Sequence, residues 1–505
     1  MITYIITFFL SFVLCICFMP LVIGLARRAN LVDMPNARKI HQKAIPRVGG
    51  IAFIAAMCIS LVAVIIFVSS VREQFAAMQK QVLVLIVSSL FISLVGLVDD
   101  ARGLSGRLKF LSLILGSVAI CWSGSGIRSL AVGTVFTLEL GFFSWPLTVL
   151  WITGVTVGVN FLDGLDGLAG GLSSISAAAI AILAFYLGLP VIGIIMLAVL
   201  GSVIGFLFFN YNPAKVFMGD CGSMFLGFML GASSVICTSK SGSIETLGIF
   251  AVALGIPIID TACTIIRRVI IERRSMFHAE RGHIHHRLLD LGLGQRHVVV
   301  ILYIVTAVTT GLAMFTLLTK DYKTLAILLC ILLLYMLFFQ AIGSYNVRQI
   351  VASLRRNASI KQDTNSFRMR FEDIQLEFRQ ATTFDQWWKI ISLAASSLGF
   401  WSLKMDVANR DGSVQILEWR RDSDLTLSES KSGEGGLIAE GLLAISLPVR
   451  NRRSKDMLHL HTEVCVDESL ESTGTRLTMF MRLLDEHSIA ELPIQPKEIP
   501  EDLQC

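Results

Sequence analysis

The chain has 505 residues, 54% of them apolar and only 16% charged, with a formal net charge of +5 and a mean hydropathy of +0.69. A soluble chain of this size carries about a quarter charged residues, so the composition excludes an ordinary water-soluble globule and places the chain in a membrane. The positive balance does not indicate nucleic acid, because the basic residues are divided among short loops flanking apolar runs, where membrane orientation accounts for them.

The first 26 residues contain no Asp, Glu, Lys or Arg, and Arg27 and Arg28 follow the apolar run. A cleaved signal peptide has its basic residues first and a shorter core, so residues 3–26 are expected to form a membrane helix with its N-terminus outside. Further runs approaching the roughly 20 residues needed to cross a bilayer lie at 48–70, 82–98, 108–122, 142–162, 172–189, 191–210, 223–239, 247–266, 297–319 and 324–343. Only Gly188-Leu189-Pro190 divides the sixth from the seventh, and ten spans instead of eleven would move the C-terminus across the membrane. Charge decides for eleven: loops on the side of Arg27 hold seventeen Lys and Arg, whereas the opposite loops hold Arg72, Lys80, Arg128, Lys240, Lys320 and Lys323. By the positive-inside rule the first group is cytoplasmic.

The ten cysteines are scattered, with no paired CxxC spacing, and read as small apolar filler. Beyond residue 345 charged residues become frequent. An amphipathic linker is expected at 346–360, a soluble cytoplasmic α+β domain of unassigned role at 361–490, and an acidic tail at 491–505. The run from Trp401 to Ala408 alternates as a half-buried strand does. The fold class expected is therefore an all-α polytopic membrane domain over 1–345, of about eleven helices, followed by that soluble domain.

The acidic and histidine-rich residues gather in the loops that the charge count assigns to one face. They are Asp33 to Asn36, with Arg38 to His41 and Pro46-Arg47-Val48-Gly49-Gly50; Asp99-Asp100; Asn160-Phe161-Leu162-Asp163-Gly164-Leu165-Asp166-Gly167; Asn210 to Ser223, which contains Phe217-Met218-Gly219-Asp220; and His283-Ile284-His285-His286. Carboxylates crowded at one surface repel one another unless a cation sits among them, and an oxygen-only set suits a hard ion such as Mg²⁺. Arg and His beside such a set point to phosphate chemistry, in which positioning and electrostatics do most of the work. Single pieces have plainer readings: Asp99-Asp100 can cap a helix end, the histidines can be a structural loop or a zinc site, and Phe217 alone can be a core residue. Asp260, inside the ninth run, suggests function by its position, but about two turns before Arg267 it equally fits a satisfied interfacial role.

Taken jointly, these five motifs resemble the polyprenyl-phosphate N-acetylhexosamine-1-phosphate transferase superfamily, glycosyltransferase family 4, over residues 1 to about 345. Ile284 interrupts the histidine run found in the muramoyl-pentapeptide branch, and Arg281 stands upstream, so the chain is most similar to the undecaprenyl-phosphate GlcNAc-1-phosphate branch. The resemblance implies transfer of GlcNAc-1-phosphate from a UDP-sugar to undecaprenyl phosphate, with release of UMP, at the cytoplasmic face of a bacterial inner membrane. It implies Asp166 and Asp220 as ligands of Mg²⁺, with Mn²⁺ as a substitute, and Asn160, Asp163 and Asn210 as organisers of the nucleotide-sugar pocket, Asp163 among the catalytic residues. It implies Phe217 stacking on uracil, Arg47 binding substrate, Asp99 and Asp100 facing the lipid phosphate, and His283, His285, His286, Arg281 and Lys109 contacting phosphate oxygens. A homodimer is compatible with it. A muramoyl-pentapeptide transferase is the alternative of the same fold; a secondary transporter, the alternative of another class, would place its ionisable ligands near the bilayer midplane and often shows internal repeats.

Overall fold

The computed structural model describes residues 2–29, 31–33, 44–132, 136–271, 282–316, 323–343, 374–378, 381–408, 414–421, 442–449, 458–465 and 470–487. Residues 34–43, Arg281, the expected linker at 346–360 and the expected tail at 491–505 lie outside these described residues. The chain divides into two compact units, Met1–Ile350 and Val351–Cys505.

The first unit is helical. Its helices in order are α1 (Ile2–Arg28), α2 (Gly49–Phe67), α3 (Ser69–Ala77), α4 (Gln79–Arg102), α5 (Gly106–Ile120), α6 (Ser144–Leu162), α7 (Leu168–Tyr186) and α8 (Pro190–Asn210). They continue with α9 (Gly219–Ser241), α10 (Ile244–Ala253), α11 (Gly255–Ile266), α12 (Ile284–Asp290), α13 (Gln295–Phe315) and α14 (Lys323–Ala341). Among the described residues ten helices are long and apolar enough to cross a membrane, and the bent pair α10 and α11 makes eleven if it counts as one span. The ten fall on the expected apolar runs, including the division of α7 from α8 at residues 187–189.

The expected ninth run is not one straight helix, because α10 and α11 meet at 79°. Pro257 supplies the reason: a proline ring clashes with the carbonyl four residues earlier, which is that of Ala253, the last residue of α10. The carbonyl so released accepts a hydrogen bond from Ser176 Oγ on α7, at 2.7 Å.

At the centre stands α9, whose apolar window is wholly buried. Gly222, Gly227, Gly231, Ala232, Ser233 and Ser234 keep its surface low, and small residues let membrane helices approach closely where no hydrophobic driving force acts between them. Outward-facing side chains such as Ile5, Phe9, Val13, Leu21 and Leu25 of α1, and Leu83, Val87 and Leu94 of α4, remain exposed as a surface for lipid. Two short strands, β1 (Val32–Asp33) and β2 (Ile45–Pro46), pair antiparallel between α1 and α2. Between α5 and α6 an antiparallel hairpin forms from β3 (Ser129–Val132) and β4 (Phe136–Glu139), strands too short to show a period in the sequence.

The second unit is α+β. Helix α15 (Phe384–Ser397) opens with a capping box between Thr383 and Gln386, which satisfies two otherwise orphaned amides. Strands β5 (Phe400–Ala408), β6 (Val414–Arg420), β7 (Leu442–Val449) and β8 (Leu458–Cys465) form an antiparallel sheet in the order β6-β5-β8-β7, and α16 (Leu470–Glu486) follows. The alternation expected from Trp401 onward is strand β5, with Leu403 and Met405 turned into a core shared with Trp387, Ile391, Leu460 and Phe480. Trp387 keeps its polar atom satisfied by donating from Nε1 to the carbonyl of His487 at 2.7 Å.

Candidate active site

Asp99 and Asp100 lie in the last turn of α4, close to where α9 begins. The carboxylate of Asp100, 1% exposed, accepts from the backbone N–H of Asp220 and of Cys221, both at 3.0 Å. The first amides of a helix have no partner within it and carry the positive end of its dipole, so Asp100 serves as a capping acceptor supplied by another helix. Asp99 turns the other way. Its Oδ1 accepts from the Leu104 N–H at 2.5 Å, closing the turn into α5, and its Oδ2 accepts from Lys109 Nζ at 2.9 Å. Lys109 also donates to Asp220 Oδ2 at 3.0 Å, while Arg47 Nε lies 3.3 Å from Asp100 and its Nη2 3.5 Å from Asp220 Oδ1. Three carboxylates and two cations therefore form one network.

The backbone fixes this network. Phe217 N–H donates to the Pro46 carbonyl, Gly49 N–H to the Phe217 carbonyl and Gly50 N–H to the Met218 carbonyl, at 2.8 to 3.0 Å. This laces the Pro46–Gly50 motif onto the Phe217–Asp220 motif. Gly219 takes φ +75°, and a Cβ there would lie 2.6 Å from Asp100 Oδ2 and collide with the Arg47 carbonyl. Only glycine fits this entry to α9.

Beside the network opens a cavity of about 1050 Å³, lined by Arg47, Asn160, Asp163, Asp166, Asn210, Phe217, Asp220 and His286 among others. Its second wall is the loop between α6 and α7. Asn210, at the end of α8, accepts from the Gly167 N–H at 2.9 Å and donates to the Val216 carbonyl at 2.8 Å, tying that loop to the one before α9. Asp166 Oδ2 accepts from Asn212 Nδ2 and from the Ala214 N–H, each at 3.0 Å. Asn160 Nδ2 donates to Ser223 Oγ at 2.8 Å.

Asp163 is half-buried on the cavity wall. Burial, reinforced by the negative charge of Asp220, pushes its carboxyl up to about 7, although Arg47 opposes this. For Arg47, burial draws the pKa down, but Asp100, Asp220, Asp33 and Asp163 together outweigh it and raise it. An excess of carboxylate over nearby cation is thus built into the cavity floor. Asp163, Asp166 and Asp220 offer it hard oxygen donors. Among the described residues no three His, Cys, Asp or Glu side chains converge on one point, so a metal held here would complete its shell with water and the oxygens of a bound phosphate.

The histidine motif starts α12. His283 Nδ1 lies 2.7 Å from Asp260 Oδ2, and the Ile284 N–H donates to Asp260 Oδ1 at 2.8 Å. The His283 and His285 rings stack with their planes 4° apart. His285 is buried against the α6–α7 loop, where a Cβ on Gly164 would come within 2.8 Å of its Nε2. That burial holds its pKa well below the ordinary histidine range. His286 reaches the cavity.

Of the residues singled out in the sequence, Arg47, Asn160, Asp163, Asp166, Asn210, Phe217, Asp220 and His286 meet on the cavity wall. Asp99, Asp100 and Lys109 stand behind Asp220 and act on the cavity through it. His283 and His285 are buried behind His286, and Arg281 lies outside the described residues. Asp260 is buried, with its oxygens met by His283 and the Ile284 N–H. Sequence reasoning missed Asn212, which bridges Asp166 and Gln295 and accepts from Arg296 at 3.2 Å. Its place two residues after Asn210 in an already marked loop was the available signal. It also missed Tyr303, whose hydroxyl donates to the Gly167 carbonyl at 2.5 Å from α13, and nothing in that apolar run marks it.

Fold and site together define a polytopic membrane protein with an open cavity, rich in both acids and bases, at the ends of its central helices. Residues 82–238 match the sequence profile of glycosyl transferase family 4. A protein of Bacillus subtilis (strain 168) described as a probable undecaprenyl-phosphate N-acetylglucosaminyl 1-phosphate transferase is 35% identical over 308 residues, 60% of this chain and 82% of that protein. A decaprenyl-phosphate N-acetylglucosaminephosphotransferase of Mycobacterium leprae is 32% identical over 340 residues, 60% of this chain and 81% of the relative. A phospho-N-acetylmuramoyl-pentapeptide-transferase of Halalkalibacterium halodurans is 28% identical over 328 residues, 61% of this chain and 96% of the relative. The chain belongs to glycosyl transferase family 4.

Proposed function

We propose that this protein transfers N-acetylglucosamine-1-phosphate from UDP-N-acetylglucosamine to undecaprenyl phosphate and releases UMP, as the first membrane step of a lipid-linked cell-envelope polysaccharide. The observation that carries the reading is the cavity floor, where Asp163, Asp166 and Asp220 face Arg47 beside the Lys109 network. Such a floor suits a diphosphate arriving with a divalent cation. The family relatives named for the same transfer support it. We place the protein in a bacterial inner membrane with the cavity and the C-terminal unit on the cytoplasmic side, on the excess of basic residues in the loops that carry the site. A homodimer is part of the same proposal only as an assembly to be measured.

In the reaction, an oxygen of the lipid phosphate attacks the sugar-linked phosphorus of the donor. A new phosphorus–oxygen bond forms, the bond from that phosphorus to the bridging oxygen breaks, and the bridging oxygen leaves with UMP. A phosphate monoester has its second pKa near about 6, so the acceptor is already mostly dianionic at neutral pH and needs no strong base. Asp163, with its carboxyl near 7, is suited to take the proton of the remaining monoanion. Arg47 and Lys109 hold charge complementary to phosphate oxygens, and their pairing with Asp99, Asp100 and Asp220 fixes them before substrate arrives. Phe217, on the cavity wall, offers a ring for the uracil. Asp166 and Asp220 would hold Mg²⁺, or Mn²⁺ in its place, which when bound neutralises the diphosphate. The test is UMP release from a panel of UDP-sugars with undecaprenyl phosphate in detergent. Release with UDP-N-acetylglucosamine that stops on chelation supports the proposal, and release only with a muramoyl-pentapeptide donor would move the chain to the other branch.

A further inference from the structure

The Asp260–His283 pair is used by no step above. Asp260 is 2% exposed and lies on α11 beyond the break at Leu254, yet both its oxygens are committed to the start of α12. An ionised carboxylate only accepts, so a proton on Nδ1 of His283 is the arrangement that makes the contact with Oδ2 a hydrogen bond; Thr264 Oγ1 lies 3.5 Å from the same nitrogen. His283 stacks in parallel on His285 at 5.7 Å, and His285 stands 4.4 Å from His286 on the cavity wall. Among the described residues His285 Nδ1 has no hydrogen-bond partner. Its ring is held by its contacts with His283, Gly164 and His286, so its orientation is linked to that of His283.

We propose that Asp260 is a positioning residue for the transfer: it fixes His283 as the Nδ1-protonated form and, through the stacked rings, sets where His286 meets the substrate. The bent helix gives the arrangement its purpose. By breaking at Leu254, between Ala253 and Gly255, the chain turns a carboxylate of a membrane helix toward the α12 start, while the Ile284 N–H binds the same carboxylate and fixes the angle of α12. This inference rests on the proposed phosphosugar transfer for its kinetic consequence, but the proton position does not.

Asp260→Asn separates geometry from protonation. The amide oxygen can still accept from the Ile284 N–H, while its NH₂ group can only donate to His283 Nδ1, driving the proton to Nε2. Nitrogen-15 NMR of histidine-labelled protein in lipid, with the His283→Gln variant to assign the signal, should show Nδ1 protonated in the wild type and Nε2 protonated in Asp260→Asn. On UMP release, Asp260→Asn should lower kcat by about 10²-fold, the scale of a misplaced catalytic group, with both KM values near wild type. In a His283→Gln background the same change should add no further loss. Wild-type His283 without a proton on Nδ1, normal turnover of Asp260→Asn, or additive losses in the double variant would each overturn the proposal. If the wild type releases no UMP at all, the functional reading fails, and the NMR comparison still decides the role of Asp260. Should Asp260→Asn not fold, the wild-type spectrum decides alone.

Discussion

Asp99 and Asp100 are adjacent on α4 and so point roughly 100° apart, which gives each a separate partner set. Asp100 is closed off by two amides of α9 and by Arg47. Asp100→Asn keeps one acceptor and loses the other, so it should cost on the order of 1–3 kcal/mol, read as a lowered thermal unfolding midpoint in detergent. Asp99 instead orients Lys109 toward Asp220. Asp99→Asn should leave unfolding and UDP-sugar affinity near wild type and lower kcat by on the order of 10²-fold, the scale for losing an electrostatic group at the transition state. The same measurements on both variants would contradict these roles if the losses were exchanged. Asp163 carries a pH signature. Its carboxyl is raised from the usual 3.8 to about 7, so its contribution to stability is intact below pH 4 and is lost as pH rises to about 7. With chelator present, Asp163→Asn should therefore be more stable than the wild type at pH 8, with the difference shrinking toward pH 4. A difference that grew on acidification would contradict the assigned burial.

At the scale of elements, the site depends on loops that other helices tie together. Asn210→Ala would strand the Gly167 N–H and the Val216 carbonyl, both partners of one buried amide. With about 1–3 kcal/mol for each polar group left unsatisfied, the variant should lose thermal stability and UDP-sugar affinity together, measurable by unfolding and ligand titration. Unchanged donor affinity would separate the two loops. The ends of these elements were legible in the sequence because runs of apolar residues stop at acids, Asn and Gly, as at Asp99, Asp163 and Asn210. The pairing of Asp260 with His283 was not legible, since a contact between residues 23 apart depends on the bend at Pro257, whose angle no periodicity encodes. The opposite fates of Asp99 and Asp100 were hidden for a similar reason: both read as carboxylates at a helix end, and only the approach of α9 distinguishes them. The β3–β4 hairpin escaped because two four-residue strands show no period.

For the whole molecule, the two units carry separate hydrophobic cores, and every residue assigned to the chemistry belongs to the first. A chain ending near residue 350 should insert, fold and retain transferase activity; a folded truncation without turnover would assign the second unit a part in catalysis. The alternating run at Trp401 disclosed strand β5 in advance, but nothing in that unit's residues disclosed a role. The central claim, that the acid-lined cavity binds a sugar nucleotide with a divalent cation and passes its phosphosugar to a polyprenyl phosphate, is tested most directly by one measurement. Purified full-length protein is supplied with UDP-N-acetylglucosamine, undecaprenyl phosphate and Mg²⁺, and UMP and the lipid product are followed together. Equal amounts of UMP and lipid diphosphate sugar, both abolished by chelation and by Asp220→Asn in folded protein, are the predicted result. UMP formed without lipid product, or turnover unaffected by either change, would contradict it.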